Sequence, residues 1–202
     1  MYDSPDEIDY DKLPDQFVIK CNHGCGWNII VKDKNSLDKI AVKNKLNTWL
    51  KTTYGVTGFE LQYANIQPKI IIEKKIENEG YDDLFDYKIY CFGGKPLYIQ
   101  FVSDRFHGGA KLAVYNRQWE KQPFAYGHPM TDKDIEKPDN LELMLHLAEE
   151  LSAGFRFVRV DLYRLNDGTI YFGEMTYTPI GGTARWHGVD MGIQFGDLIK
   201  LK

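Results

Sequence analysis

The stretch FRFVRVDLYRLNDGTIYFGE, Phe155 to Glu174, decides how the second half of this chain folds. An apolar run leads into Leu165-Asn166-Asp167-Gly168, in which Asp-Gly is a strong turn signal, and a second strand follows from Thr169 to Gly173. The pattern predicts a β-hairpin. Two acids mark it, because Asp161 interrupts the first strand and Glu174 closes the second.

Alternation along the first strand places Arg159, Asp161 and Tyr163 on one face. Buried charges are costly unless they are paired, and two facing carboxylates repel each other unless a cation lies between them. Asp161 and Glu174 therefore predict either a magnesium site or a hairpin held together by salt bridges. The stretch alone leaves both interpretations open.

The composition indicates a globular chain of one domain or two small lobes. Its 202 residues carry a formal net charge of -4, which argues against a general nucleic-acid binder. No apolar run approaches the ~20 residues that span a bilayer, and the N-terminus is acidic where a signal peptide would be basic. We expect a cytoplasmic location.

Periodicity and turn signals predict the elements of a first lobe, residues 13–73, after a tail of residues 1–12 that reads as the end of a missing upstream segment. These elements are a strand Gln16–Lys20, a loop Cys21–Trp27, a strand Asn28–Val31, a helix from Asn35 or Ser36 to about Lys51 with the buried stripe Leu37, Ile40, Leu46, Trp49 and Leu50, and a strand Lys69–Glu73.

The second lobe, residues 74–202, contains a hairpin, a long loop, a helix and the hairpin described above. The predicted elements are strands Tyr87–Phe92 and Leu97–Ser103, a loop Asp104–Lys137, a helix after Pro138 with a capping box of Asp139 and Glu142 that ends at Gly154, and a glycine-rich tail Thr176–Lys202. The fold class is therefore α+β, with two mostly antiparallel lobes.

Three further groups of residues suggest chemistry. Lys20 ends a strand and precedes a loop with Gly24 and Gly26, which favours a phosphate site, although an ordinary glycine-rich turn explains the loop too. Glu73, at the mouth of a buried strand, is placed to accept the amine of an adenine, and Ile76 offers backbone groups to the purine edge.

The third group lies on the predicted hairpin of the second lobe. Asp86 and Lys88 share one strand face, and Arg105 follows the partner strand. These charges predict a phosphate or carboxylate pocket, or else a cross-strand ion pair.

The order of these groups resembles the ATP-grasp fold, in which two α+β lobes clasp ATP. The resemblance is to the TupA-like group linked to teichuronopeptide and capsular polysaccharide synthesis, and it extends from about Leu13 to the C-terminus. It is carried by the segments FVIKCNHGCGWN, IIEKKIEN, DYKIYCFGGKPLYIQFVSDR, FVRVDLY and IYFGEMTYTP.

The resemblance implies a role for each group. It assigns the phosphates of ATP to Lys20, Gly24 and Gly26, the adenine hinge to Glu73, Lys74 and Ile76, and the ribose to Asp86. It assigns Mg²⁺ to Asp161 and Glu174, with Thr176 where many ATP-grasp enzymes have a metal-binding asparagine. Catalysis falls to Arg159, which would stabilise the transferred phosphoryl group, and to Lys88 and Arg105, which would hold the γ-phosphate or the acceptor.

The implied activity is an ATP-dependent ligase that joins a carboxylate to an amine or thiol through an acyl phosphate. The partners would be ATP and a small carboxylate or uronic-acid-containing acceptor, with peripheral association with polysaccharide assembly machinery. The family's N-terminal domain has no counterpart before Lys20, so we expect a truncated copy or an excised fragment. The alternatives are a nucleotide-binding fragment without catalysis and a glycosyltransferase-like polysaccharide biosynthesis protein.

Overall fold

The structure is a computed structural model that describes residues 1–55, 58–80, 84–103 and 109–200. These residues form two compact units, Met1–Ile76 and Glu77–Lys202. The sequence places the division after Glu73, a few residues earlier. All pairs between the named strands are antiparallel, and helices pack beside the sheets, as expected for an α+β fold.

The first unit is built on a three-stranded sheet in the order β2-β1-β3. Its strands are β1 (Phe17–Cys21), β2 (Asn28–Val31) and β3 (Ile70–Lys74). Strand β1 alternates between buried and half-buried residues, so Phe17 and Ile19 enter the core while Lys20 lies on the opposite face.

Helix α1 (Lys39–Leu50) completes this core through Val42 and Leu46. It begins later than predicted because Asp38 is the cap. The carboxylate of Asp38 accepts hydrogen bonds from the backbone N–H groups of Ile40 and Ala41. Ile40, which the periodicity assigned to the buried stripe, is exposed.

The first twelve residues belong to this unit in the structure, unlike the separate tail that the sequence suggested. Tyr2 exchanges backbone hydrogen bonds with Ile70, and Ile8 is buried in the core. Two short 3-10 turns, Pro5–Glu7 and Tyr10–Lys12, connect these contacts to β1.

The second unit contains a five-stranded sheet in the order β6-β5-β4-β8-β9. Its strands are β4 (Phe85–Phe92), β5 (Lys95–Ser103), β6 (Lys111–Asn116), β8 (Phe157–Arg164) and β9 (Ile170–Thr176). Helix α2 (Leu141–Ser152) packs its buried stripe on one face of this sheet. The capping box is wrong, since the cap residue is Asn140 and its side chain bonds to the β8–β9 hairpin instead.

The prediction of a loop over residues 104–137 is also wrong, because this segment contains β6 and β7 (Phe124–Tyr126). The glycine-rich tail contains β10 (Trp186–Gly188) and helix α3 (Gly192–Leu198). Strands β7 and β10 pair with each other, and Phe195 of α3 packs among aromatic rings of both sheets. These segments lack clear periodicity because their apolar side chains are buried by distant parts of the chain.

Candidate active site on the sheet face opposite helix α2

The β8–β9 hairpin places its two acids opposite each other. Asp161 and Glu174 are register partners, although Glu174 lies within β9 rather than closing it as predicted. A bulge follows this pair, because Leu162 is opposite Phe172 and Gly173 is the extra residue. A Cβ atom at Gly173 would lie 3.0 Å from the carbonyl oxygen of Asp161, so glycine suits this close approach.

Arg159 and Asp161 form a buried ion pair on the sheet face that lies opposite α2. Arg159 Nε lies 2.6 Å from Asp161 Oδ1 and Nη2 lies 2.7 Å from Oδ2, a bidentate arrangement. Burial alone would lower the pKa of Arg159, but the charge and hydrogen bonds of Asp161 raise it above the ordinary value. The guanidinium is therefore permanently charged and fixed in direction.

The same guanidinium connects the pair to the end of β9. Arg159 Nη2 donates to the Thr176 hydroxyl at 3.0 Å, and that hydroxyl donates to Glu174 Oε1 at 3.2 Å. Glu174 Oε1 also lies 3.5 Å from Arg159 Nη2. Thr176 thus bridges the arginine and the second carboxylate.

A second cation reaches Asp161 from the neighbouring strand. Lys88 Nζ lies 2.6 Å from Asp161 Oδ2 and 3.1 Å from Asp86 Oδ2. Asp86 is buried beside it, so the acid that the resemblance assigned to the ribose is engaged with Lys88 in this structure. The sequence predicted that Asp86 and Lys88 share one strand face, either in a phosphate or carboxylate pocket or in a cross-strand ion pair. The structure contains ion pairs of Lys88 with Asp86 and, across strands, with Asp161.

Glu174 differs from Asp161 in its exposure. Its side chain is 48% exposed, against 3% for Asp161. Partial burial, and then the negative charge of Asp161, raise the pKa of Glu174 above its ordinary value. Additional positive charge at this position would relieve that unfavourable interaction.

The sequence analysis did not single out two residues that support the cluster, Tyr90 and Gln100. Tyr90 is register partner of Arg159 and donates a 3.2 Å hydrogen bond to Gln100 within the buried sheet. Burial raises the pKa of Tyr90 to about 12, so the phenol stays protonated. The signal was available, since Asp86, Lys88 and Tyr90 alternate onto one strand face.

The nucleotide residues predicted in the first unit lie on its sheet and glycine loop. Lys20 Nζ forms a 2.5 Å ion pair with Glu73 Oε2, and both side chains are about half exposed. Lys74 is exposed and Ile76 is half-buried at the end of the unit. The structure therefore brings together a lysine and a glutamate that the resemblance assigned to opposite ends of ATP.

The glycine loop is anchored by aromatic rings. Trp27 stacks on Trp49 with ring centroids 6.0 Å apart, and a Cβ atom at Gly24 would lie 2.5 Å from the Trp27 ring. Gly26 has a φ of 71°, which favours glycine. The remaining predicted catalytic residue, Arg105, lies outside the described residues.

Comparison with known proteins gives the family. The sequence model of the family described as "TupA-like ATPgrasp" matches residues 2–200. The chain therefore belongs to the TupA-like ATP-grasp family, and the ATP-grasp fold predicted from the motifs is confirmed. None of the curated proteins matches the chain.

Solved structures of two other proteins are similar to this chain. One is the ATP-grasp ligase PsnB complexed with a phosphomimetic variant of its minimal precursor, Mg and ADP, with 13% identity, a TM-score of 0.44, and coverage of 91% of this chain and 46% of that chain. Another is the D-cycloserine synthetase DcsG, with 14% identity, a TM-score of 0.46, and coverage of 91% and 54%. The chain thus spans about half the length of these proteins.

One negative finding concerns membranes. Within residues 1–55, 58–80, 84–103 and 109–200, no helix has the length and apolar character needed to cross a bilayer.

Proposed function

We propose that this chain is the ATP-binding and catalytic part of a ligase that uses ATP to join a carboxylate to an amine or thiol. The observation that carries the proposal is the charged cluster on the sheet face opposite α2, defined as Asp86, Lys88, Arg159, Asp161 and Glu174. Membership of the TupA-like ATP-grasp family supports the same chemistry.

The cluster fits Mg²⁺ bound together with phosphate. Magnesium is commonly held by one or two carboxylates, with phosphate oxygens and water completing its octahedral shell. No group of three or more His, Cys, Asp or Glu side chains in the described part of the chain is placed to hold a metal, so the protein would supply a carboxylate pair. Asp161 and Glu174 would hold the ion, with the Thr176 hydroxyl as a third oxygen. Bound Mg²⁺ would neutralise negative charge on the phosphates of ATP.

The protein's own cations would do the remaining electrostatic work. An oxygen of the acceptor carboxylate attacks the γ-phosphorus, the bond to the β–γ bridging oxygen breaks, and ADP leaves. Negative charge spreads over the transferred phosphoryl oxygens, where Arg159, held in direction by Asp161, and Lys88 would stabilise it. Arg105 is proposed for the acceptor or the γ-phosphate.

The second half of the reaction needs no side-chain nucleophile. The amine attacks the carbonyl carbon of the acyl phosphate, inorganic phosphate leaves with the electron pair of the broken C–O bond, and the amine loses a proton to phosphate or water. Positioning of the two substrates supplies much of the rate enhancement in such a step.

Residues of the first unit are proposed to bind the nucleotide. Lys20, with Gly24 and Gly26, would contact the phosphates, while the segment 73–76 would contact the adenine. Asp86 is proposed for the ribose. The Lys20–Glu73 ion pair supports a role in binding, because both side chains are about half exposed and a solvent-exposed ion pair contributes little to stability.

The acceptor is proposed to be a small carboxylate or a uronic-acid-containing saccharide in cell-surface polysaccharide biosynthesis. The family's link to teichuronopeptide and capsular polysaccharide synthesis motivates this choice. A cytoplasmic location, at the inner side of polysaccharide assembly machinery, would give access to ATP and is part of the proposal.

The test is ADP release with Mg²⁺ and ATP against a panel of uronic and amino acids, each offered with an amine. We expect acceptor-dependent ADP release that Glu174→Gln reduces by at least ~100-fold, a loss typical of removing one electrostatic group from an active site. Asp132→Asn, a change at an exposed acid outside the charged cluster, should leave the rate unchanged.

Two results would contradict the ligase proposal. Binding of Mg-ATP without ADP release for any acceptor would indicate a nucleotide-binding chain without catalysis. Stabilisation by UDP-sugars and not by ATP, measured as a rise in thermal midpoint, would indicate a glycosyltransferase.

A further inference from the structure

A cavity lies on the other face of the five-stranded sheet, the face on which α2 packs. It measures about 290 Å³, near the lower end of the ~300–1,000 Å³ typical of small-molecule sites, and lies beside the start of α2. Tyr87 lines it, and Tyr87 alternates along β4 with Asp86 and Lys88 of the charged cluster. The sheet therefore separates this cavity from the proposed ligase site.

The floor of the cavity is aromatic. Phe85, Tyr87 and Phe101 line it, with the Tyr87 and Phe101 ring centroids 5.1 Å apart and those of Phe85 and Phe101 6.3 Å apart. Such a floor binds flat apolar groups through area burial and ring contacts. A ligand with an aromatic or planar apolar body fits it.

Arg164 supplies a cation to the same cavity. Its Nε donates to Asn140 Oδ1 at 2.8 Å and its Nη1 to the Leu165 carbonyl at 3.2 Å, and Asn140 is itself tied to Gly168 O at 2.7 Å. Among the described residues no carboxylate forms a salt bridge with this guanidinium, although its charge is one of the causes that lower the pKa of Asp167, after the hydrogen bonds from Thr169. Its remaining N–H groups are thus held in a fixed direction and suit a carboxylate.

Tyr87 offers a second donor. Its side chain is buried and lines the cavity. Burial raises the pKa of Tyr87 to about 12, although the charge of Arg164 acts in the opposite direction, so the phenol remains a donor at neutral pH. The charges at the exposed rim, Glu136 and Asp139 against Lys137, offset one another in part, and Arg164 is a half-buried cation of the lining.

We propose that this cavity binds a small organic carboxylate with an aromatic or planar apolar body, whose carboxylate is held by Arg164 and the Tyr87 hydroxyl. The ligand would not react there, because the charged cluster is on the opposite sheet face. The proposal does not depend on the ligase activity, and it assigns the chain a second ligand site.

The test uses benzoate as the probe and isothermal titration of the full chain. We expect saturable binding of benzoate and at least ~10-fold weaker binding of benzamide, which has the same shape without the charge. Amide chemical shifts measured by NMR should change at Phe85, Phe101 and Leu165. Both measurements use the unmodified chain. The proposal would be overturned if benzamide bound as tightly as benzoate, or if the amide chemical shifts changed only at other residues.

Variants then separate the two donors. Arg164→Gln should weaken benzoate binding by about 10-fold or more, and Tyr87→Phe, which keeps the ring, by a few-fold. Arg156→Gln makes the same change at an exposed arginine outside the cavity and should have no effect. Unchanged affinity in a folded Tyr87→Phe or Arg164→Gln protein would overturn the assigned contacts. Glu174→Gln should bind benzoate normally, which distinguishes this site from the ligase site.

Discussion

At the scale of single residues, Asp161 determines the character of the charged cluster. One buried carboxylate receives a bidentate arginine from its own strand and a lysine from the next strand. A buried ion pair is not in itself stabilising relative to apolar residues, but its disruption leaves uncompensated charge in the interior. The cluster is therefore best understood as a preorganised set of charges.

This arrangement gives a stability prediction for Asp161→Asn. The amide keeps the shape but removes the countercharge of Arg159 and Lys88, and we expect the free energy of unfolding to fall by about 3–5 kcal/mol. Urea unfolding followed by circular dichroism measures it, with Asp132→Asn as the control. A loss below about 1 kcal/mol would contradict the buried ion pair.

Glu174 should show the opposite behaviour. Its pKa is raised in the folded state, so the stability associated with the uncharged carboxyl is present at low pH and is lost as pH rises through the raised pKa. Glu174→Gln should therefore raise the thermal midpoint at pH 8 by about 1–2 °C and have no effect below about pH 4.

The measurement is a series of thermal melts from pH 4 to pH 8. The same series on Asp132→Asn gives the behaviour of an exposed acid. A midpoint for Glu174→Gln below that of the unmodified chain at pH 8 would show that ionised Glu174 stabilises the fold, against the expected direction.

At the scale of elements, helix ends were decided by side-chain geometry that a sequence pattern leaves open. Several Asp, Asn and Ser residues precede α1, and the structure uses Asp38 for the helix and Asp33 for a short 3-10 turn. Both aspartates accept hydrogen bonds from backbone N–H groups two residues ahead.

The cap gives an element-scale prediction. Asp38→Ala removes the acceptor for two N–H groups of α1 and should lower the free energy of unfolding by about 1 kcal/mol. Asp38→Asn retains a capping oxygen and should cost only a few tenths of that value. Equal losses in the two variants, measured by urea unfolding, would mean that the charge and not the cap is responsible.

At the scale of the whole molecule, the buried apolar residues fall into clusters that each belong to one unit. The core of the first unit includes Leu46, and the core of the second unit, between α2 and the five-stranded sheet, includes Met144. Both side chains are completely buried.

This division gives a prediction for core truncation. Leu46→Ala and Met144→Ala should each cost about 2–5 kcal/mol through lost burial and a residual cavity. Native-state hydrogen exchange should show accelerated amides mainly in the first unit for Leu46→Ala and mainly in the second for Met144→Ala. Equal acceleration throughout the chain for either variant would show that the units unfold as one.

Local sequence patterns predict several features of this protein. Alternation and the Asp-Gly turn predicted the hairpin, and with it the common face of Arg159 and Asp161, because the two-residue period of a strand is a local property. The order and spacing of the motifs carried the resemblance to the ATP-grasp fold, which the family match confirms. The buried stripe of α2 was predicted nearly in full, although Leu151 is partly exposed.

Other features were decided only by the tertiary structure. Strands β6, β7 and β10 form because remote segments bury them, and no local period reveals that. The bridge from Lys88 to Asp161 joins two residues that are 73 positions apart in the sequence, and the cavity beside Arg164 is assembled from four separate segments. Pairing between distant charges depends on strand order, which a local sequence pattern does not encode.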